Sequence, residues 1–179
     1  MVIALIGYGK MGKAVEKAAI EKGHEIIIAS STRNDTIHTE SLSQADVVIE
    51  FTRPDAAVNN LLTCLDSAVP VVCGTTGWHE SYDSVKARFI EKNGALFTAS
   101  NFSVGMNLVF ELNAMLSRWT SHMPEYHPSI VETHHLQKID MPSGTAVTLA
   151  NGISQNHSKR FEWRLQEDKN IFSDNILPI

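Results

Sequence analysis

The chain has 179 residues, 43% hydrophobic and 20% charged, which is enough apolar material for one full domain and part of a second. A formal net charge of −5 argues against general nucleic-acid binding, which needs clustered cations. Two cysteines, Cys64 and Cys73, are too few for a disulfide framework and lack metal-ligand spacing, and no apolar run is long enough to span a bilayer. These features read as a cytoplasmic protein with no membrane segment, no bound metal and small buried thiols.

The first two thirds alternate short apolar runs with helical patterns. Residues 2–6 form a continuous apolar run, as expected of a parallel strand covered on both faces. Residues 9–22 have helical composition, stopped by Gly23. Strands are expected at 25–29, 46–51, 69–73 and 95–99. Between them, Pro54 opens a helix with Ala57, Val58, Leu61, Leu62 and Leu65 on one face, and residues 82–91 form another. A further helix carries Val104, Leu108, Leu112, Met115 and Trp119 on one stripe. The rhythm breaks at 121–128, where two prolines and two histidines fall; residues 129–134 then read as a strand and 144–153 as a helix. Strand-helix alternation implies a doubly wound parallel sheet with right-handed crossovers. The last residues read as the start of a second region that contains a sheet.

Gly7-Tyr8-Gly9-Lys10-Met11-Gly12 matches G-x-G-x-x-G between an expected strand and an expected helix, the context that gives the pattern its meaning. Gly7 allows a tight turn, Gly9 lets the backbone approach a pyrophosphate, and Gly12 lets helix and strand pack closely. Backbone N–H groups and the helix dipole then hold the phosphate charge. Where an acidic residue would select NAD, the chain has Ser30-Ser31-Thr32-Arg33. Hydroxyls and a guanidinium suit a 2′-phosphate, so Ser31 and Arg33 point to NADPH, with NADH left open.

In open parallel sheets, ligands lie beyond the carboxyl ends of the strands. Three loops are expected there: Phe51-Thr52-Arg53-Pro54, Gly74-Thr75-Thr76-Gly77, and Ala99-Ser100-Asn101-Phe102-Ser103. Each mixes small residues with hydroxyls or an amide. Any one of them could be ordinary turn chemistry, but three on one edge beside a phosphate loop read as a site.

The stretch from Val131 through Glu132, Thr133, His134, His135, Leu136, Gln137, Lys138, Ile139, Asp140 and Met141 to Pro142-Ser143-Gly144-Thr145-Ala146 packs two histidines, a lysine and a helix start into a short span. Lys138 supplies positive charge, a histidine can move protons near neutral pH, and the free N–H groups of the helix start suit a carboxylate. Adjacent strand residues face opposite ways, so His134 and His135 do not form a chelating pair.

This segment, E-x-H-H-x-x-K-x-D-x-P-S-G-T-A, resembles the signature of the dihydrodipicolinate (4-hydroxy-tetrahydrodipicolinate) reductases, and residues 7–12, Phe51-Thr52-Arg53-Pro54, Gly74-Thr75-Thr76-Gly77 and Asn101-Phe102-Ser103-Val104-Gly105 also match the family pattern in order and spacing. The resemblance covers residues 1 to about 150. It implies a Rossmann-type cofactor domain over 1–103 and an α+β substrate and oligomerisation domain with a mixed sheet over 104–179. It implies that Gly7, Gly9, Lys10, Met11 and Gly12 surround the pyrophosphate. Gly74, Thr75 and Thr76, with Ala99, Ser100, Asn101 and Phe102, would line the nicotinamide half. His134 would be the proton donor and acceptor and Lys138 a second proton donor, while His135, Gly144 and Thr145 would contact a small cyclic dicarboxylate. The implied reaction is hydride transfer from NADPH or NADH in lysine and diaminopimelate synthesis, by a homotetramer.

Family members continue past the position of Ile179 through more strands and return to the cofactor domain, so the second domain is read as incomplete. Two other readings stand beside this one. The first is a cofactor-binding fragment without activity. The second is another two-domain dehydrogenase, such as an amino-acid or semialdehyde dehydrogenase; the latter would need a catalytic thiol, for which Cys73 is the candidate.

Overall fold

Among the described residues, five short strands form the sheet that organises the N-terminal half: β1 (Val2–Ile6), β2 (Glu25–Ser30), β3 (Val47–Glu50), β4 (Val71–Cys73) and β5 (Leu96–Thr98). The structure, a computed structural model, describes residues 1–30, 37, 39–134, 141–165 and 175–179. All five strands are parallel, in the order β2-β1-β3-β4-β5. The chain runs outward from β1 in one direction to β2 and in the other through β3 to β5, so the order reverses between β1 and β3. That reversal opens a crevice at the carboxyl ends of these two strands.

Among the described residues, four helices belong to this half: α1 (Lys10–Glu21), the short α2 (Thr39–Leu42), α3 (Pro54–Asp66) and α4 (Tyr82–Glu91). A 3₁₀ turn, His79–Ser81, leads into α4. Alternate strand residues feed separate cores. Ala4, Ile6, Val48 and Val71 join Ala57, Leu61, Cys64 and Leu65 of α3 and Val85 and Phe89 of α4. Ile3 and Leu5 join Ala19 and Val15 of α1, with Ile26, Val47 and Ile49. The sheet is therefore covered on both faces, which is why β1 needs no polar alternation. Leu5 and Leu61 are fully buried, and each such side chain contributes about 1.5–3 kcal/mol relative to exposure.

Most expected elements appear with their ends moved by a residue or two. Pro54 takes the first helical position as expected, because its missing N–H would have had no intrahelical partner. The strand expected at 69–73 begins only at Val71, after Pro70, which has no N–H to give to a ladder. Neither α2 nor the 3₁₀ turn was anticipated, since each is too short to show a period.

The chain divides into two compact units, Met1–Ala99 and Ser100–Ile179. In the second, α5 (Val104–Thr120) packs on α6 (Gly144–Asn156): the Ser117 hydroxyl donates to the Ile153 carbonyl at 2.9 Å and Asn113 Nδ2 to the Leu149 carbonyl at 3.0 Å. Strands β6 (Glu162–Arg164) and β7 (Ile176–Pro178) form a parallel pair. Ala146, Ala150 and Ile153 of α6 meet Leu177, Ile179, Phe161 and Trp163 in its core.

One expectation fails in this unit. Residues 129–134 are not a strand: Ile130 donates one backbone hydrogen bond to the Pro178 carbonyl at 3.0 Å and packs into the core. Its neighbour β7 is three residues long and ends in a proline without an N–H, so a ladder cannot extend along it. The apolar stripe expected on α5 is present and is largely exposed. Val104 is 77% exposed, Leu112 62% and Trp119 63%, while the helix meets α6 through Asn113 and Ser117.

Candidate active site

The glycine turn follows β1 directly and faces the crevice between β1 and β3. Gly7 has φ +94°, a conformation L side chains avoid, and a Cβ there would lie 2.1 Å from the Phe51 carbonyl oxygen at the tip of β3. A Cβ on Gly12 would lie 2.2 Å from the Gly7 carbonyl oxygen, so α1 and the turn touch backbone to backbone. Gly9, the N-cap of α1, differs from both, since a Cβ there would meet nothing within 4 Å. The first turn of α1 carries no acidic residue, and Lys10 and Met11 are exposed. The result is a helix N-terminus with its backbone bare to one side, a cradle shaped for an anion such as a pyrophosphate.

The neighbouring loops are braced by a buried carboxylate. Glu50 at the end of β3 is fully buried and accepts hydrogen bonds from the Thr52 hydroxyl, from Asn60 Nδ2 at 3.3 Å and from the Cys73 thiol at 3.0 Å. A buried carboxylate persists only with such donors around it. Thr52 N–H donates to Thr75 Oγ1 at 2.7 Å, and Trp78 Nε1 donates to the Thr75 carbonyl at 2.8 Å. Of the expected nicotinamide residues, Thr75 is thus turned inward and Thr76 is exposed. Gly74 lies beneath the Phe51 ring, so close that a Cβ would overlap it.

Burial, and then the Glu50 charge, push the thiols of Cys64 and Cys73 up to about 12. Such thiols stay neutral and make poor nucleophiles, which removes the basis for a thiol-dependent semialdehyde dehydrogenase reading. Iodoacetamide at neutral pH should leave both cysteines intact in the folded protein and modify both after denaturation. Rapid labelling of native Cys73 would contradict the buried network.

In the second unit, Asn101 Oδ1 accepts from Ser103 N–H at 2.8 Å and the Asn101 carbonyl accepts from Asn107 Nδ2 at 3.0 Å, fixing the turn into α5. Ser100 Oγ lies 3.3 Å from Thr148 Oγ1, and Phe102 is exposed. Ala99 closes the first unit, its N–H directed at the Cys73 carbonyl.

The start of α6 is built as expected: Ser143 is the N-cap and its hydroxyl accepts from Ala146 N–H at 3.1 Å. Glu132, to which the sequence reading gave no role, closes on this cap. Its carboxylate accepts from Ser143 N–H at 2.8 Å and from the Ser143 hydroxyl, and lies 2.8 Å from His134 Nε2. Burial pushes the Glu132 carboxyl up. The Ser143 hydroxyl, His134 and the Ser143 N–H outweigh that and hold it at about 2, against an ordinary 4.5. His134 is exposed beside it, as is Gly144, and Thr145 is half-buried. Ser31, Arg33, His135 and Lys138 lie outside the described residues. Among the described residues no cluster suits a metal ion.

The lowered Glu132 value has a sign that can be checked. The ionised form is favoured by folding, so its contribution is full above about pH 4.5 and is lost as pH falls toward 2. Denaturant unfolding at pH 5 and pH 3 should show a smaller acid loss in Glu132→Gln than in the unsubstituted chain; equal losses would contradict the assigned contacts.

Comparison with known proteins agrees with this geometry. The family profile described as "Dihydrodipicolinate reductase, N-terminus" matches residues 1–102, and the one described as "Dihydrodipicolinate reductase, C-terminus" matches 105–174. The chain belongs to the dihydrodipicolinate reductase family. It is 42% identical over 169 residues to the 4-hydroxy-tetrahydrodipicolinate reductase of Christiangramia forsetii, covering 93% of this chain and 70% of that protein. It is 41% identical over 114 residues to the reductase of Chromobacterium violaceum, covering 64% of this chain and 42% of that one. A dipicolinate-bound dihydrodipicolinate reductase from Paenisporosarcina sp. TG-14 shares the fold with a TM-score of 0.69 at 22% identity, covering 99% of this chain and 77% of that structure. Dihydrodipicolinate reductases are NAD(P)H-dependent oxidoreductases, and NADH or NADPH is the cofactor of the domain matched by residues 1–102.

Within a dihydrodipicolinate reductase, the glycine turn and the inward-braced Thr75 loop fall in the cofactor domain, while the Glu132–His134–Ser143 cluster falls in the C-terminal one. Sequence reasoning passed over Glu132 although it opens the signature segment. Its spacing of two from His134 was the available signal, but the bond to Ser143 joins residues eleven apart and is visible only in three dimensions.

Proposed function

We propose that the chain reduces 4-hydroxy-tetrahydrodipicolinate to tetrahydrodipicolinate in lysine and diaminopimelate synthesis, working in the cytoplasm as a homotetramer. The observation that carries the reading is the turn that is closed at Gly7 and Gly12 and open at Gly9, in a chain 42% identical to a named reductase. When bound, NADPH or NADH would supply a hydride to C4 of the substrate ring once the C4 hydroxyl and a ring hydrogen have left together as water. The residues of the chain do the rest. Gly7, Gly9, Lys10, Met11 and Gly12 hold the pyrophosphate, and Ser31 and Arg33 favour NADPH. Gly74, Thr75 and Thr76, with Ala99, Ser100, Asn101 and Phe102, form the nicotinamide half. The domain beyond residue 103 binds substrate and carries the subunit contacts.

His134 supplies the proton that balances the incoming electron pair, with Lys138 as second donor. His135, Gly144 and Thr145 hold the ring carboxylates, the last two through the free N–H groups that begin α6. Support for a dicarboxylate comes from the dipicolinate found in the Paenisporosarcina reductase.

The test mixes the protein with NADPH and freshly generated substrate and follows the near-ultraviolet absorbance of the reduced nicotinamide. Oxidation that requires substrate supports the proposal. Tight NADPH binding with no oxidation would leave a cofactor-binding protein without this activity.

A further inference from the structure

We infer that Glu132 is a positioning residue for His134: anchored on Ser143, it binds the imidazole through Nε2–H and leaves Nδ1 as the nitrogen that exchanges the proton. This rests on the reading of His134 as proton donor.

The geometry leaves little freedom. Glu132 Oε1 accepts from Ser143 N–H at 2.8 Å, and Oε2 is shared by the Ser143 hydroxyl and His134 Nε2, the latter at 2.8 Å. Ser143 itself is buried and is fixed as the N-cap of α6. The carboxylate is therefore placed by a helix and not by the irregular stretch that carries it. His134 stands two residues away on that stretch, which has no ladder to hold a side chain in register. An ionised carboxylate only accepts hydrogen bonds, so the nitrogen facing it must carry a hydrogen. Neutral His134 is accordingly the Nε2–H tautomer. In the imidazolium both nitrogens carry hydrogen. Loss of the Nδ1 proton to the substrate atom that gained the electron pair regenerates the same neutral tautomer, with Nε2–H still on Glu132. The ring need not turn during the step, the same logic by which a carboxylate holds a catalytic histidine in hydrolases.

Glu132→Gln makes an asymmetric prediction. Ser143 N–H is a fixed donor and demands the amide oxygen at the Oε1 position. The amide NH₂ then falls at the Oε2 position and faces His134 Nε2, which must now accept. The substitution keeps shape and reverses the tautomer.

The experiment records long-range ¹H–¹⁵N spectra of the full protein, with His134 assigned by its loss in His134→Gln, and measures kcat and KM for each variant. The expected result is Nε2–H in the unsubstituted protein and Nδ1–H in Glu132→Gln. Turnover should fall at least about tenfold, part of the roughly 10²–10⁴ a placed proton donor contributes, with KM little changed. An Nδ1–H tautomer in the unsubstituted protein overturns the inference whether or not the variant folds. So does unchanged turnover in Glu132→Gln alongside a severe loss in His134→Gln. If His134→Gln itself keeps full turnover, the proton-donor reading fails instead, and the tautomer spectra still judge the contact.

Discussion

Replacing His134 with glutamine should lower kcat by about 10²–10⁴, the contribution of a positioned general acid, while leaving NADPH affinity unchanged. The separation follows from the two proposed roles, a proton donor and a pyrophosphate cradle. His134 lies in the unit that begins at Ser100, beside the start of α6, whereas the bare glycine turn belongs to the unit that ends at Ala99. Glutamine keeps hydrogen-bonding groups but cannot give up a proton near neutral pH, so the loss should fall on turnover. Steady-state kinetics with a separate NADPH titration checks this. Turnover close to that of the unsubstituted protein would remove His134 from the chemistry. Loss of cofactor binding with it would point to a structural role.

Two nearby glycines should differ in what the same added methyl group does to stability, while both lose NADPH affinity. In Gly7→Ala the new Cβ would overlap the Phe51 carbonyl at 2.1 Å, and neither atom can move without shifting backbone at the tips of adjacent strands. The left-handed φ alone costs about 1–2 kcal/mol, and the overlap adds to it. The melting temperature should fall by at least about 4 °C for a chain of this size, and NADPH binding should weaken with it. In Gly9→Ala the Cβ enters open space and φ is −81°, so stability should stay within about 0.5 kcal/mol. Yet the methyl group occupies the side from which a pyrophosphate approaches, so NADPH affinity should drop about tenfold or more. Thermal denaturation and fluorescence titration of the two variants read both effects. A stable Gly7→Ala, or a Gly9→Ala that binds NADPH normally, would show that the turn is not the cradle described.

The glycine turn was legible in the sequence because each of its demands is local: a strand, a turn and a helix start within twelve residues. The covered strands were legible for a related reason, since β1 faces apolar partners on both sides and needs no alternation. Helix α4 matched residue for residue because its ends are set by its own period and by the turn at 92–94. What was not legible depended on partners distant in the chain. Residues 129–134 have strand composition, but a strand exists only where a neighbour offers a ladder, and β7 ends in Pro178. The α5 stripe has a helical period, but period does not say what covers it; the helix is fixed to α6 by Asn113 and Ser117. Glu50 reads as an odd charge in an apolar strand until Thr52, Asn60 and Cys73 are seen around it. At the candidate site, the N-cap was legible from Pro142-Ser143-Gly144, but the Glu132 carboxylate that joins it to His134 was not.

The most direct test is a crystal structure of the protein with NADPH and dipicolinate bound together. The pyrophosphate should lie on the N–H groups of the turn from Gly7 to Gly12, the dipicolinate carboxylates at Gly144 and Thr145, and His134 should turn to the ring through Nδ1. A cofactor seated away from the β1–β3 crevice, or a dicarboxylate bound out of reach of His134, would contradict this arrangement.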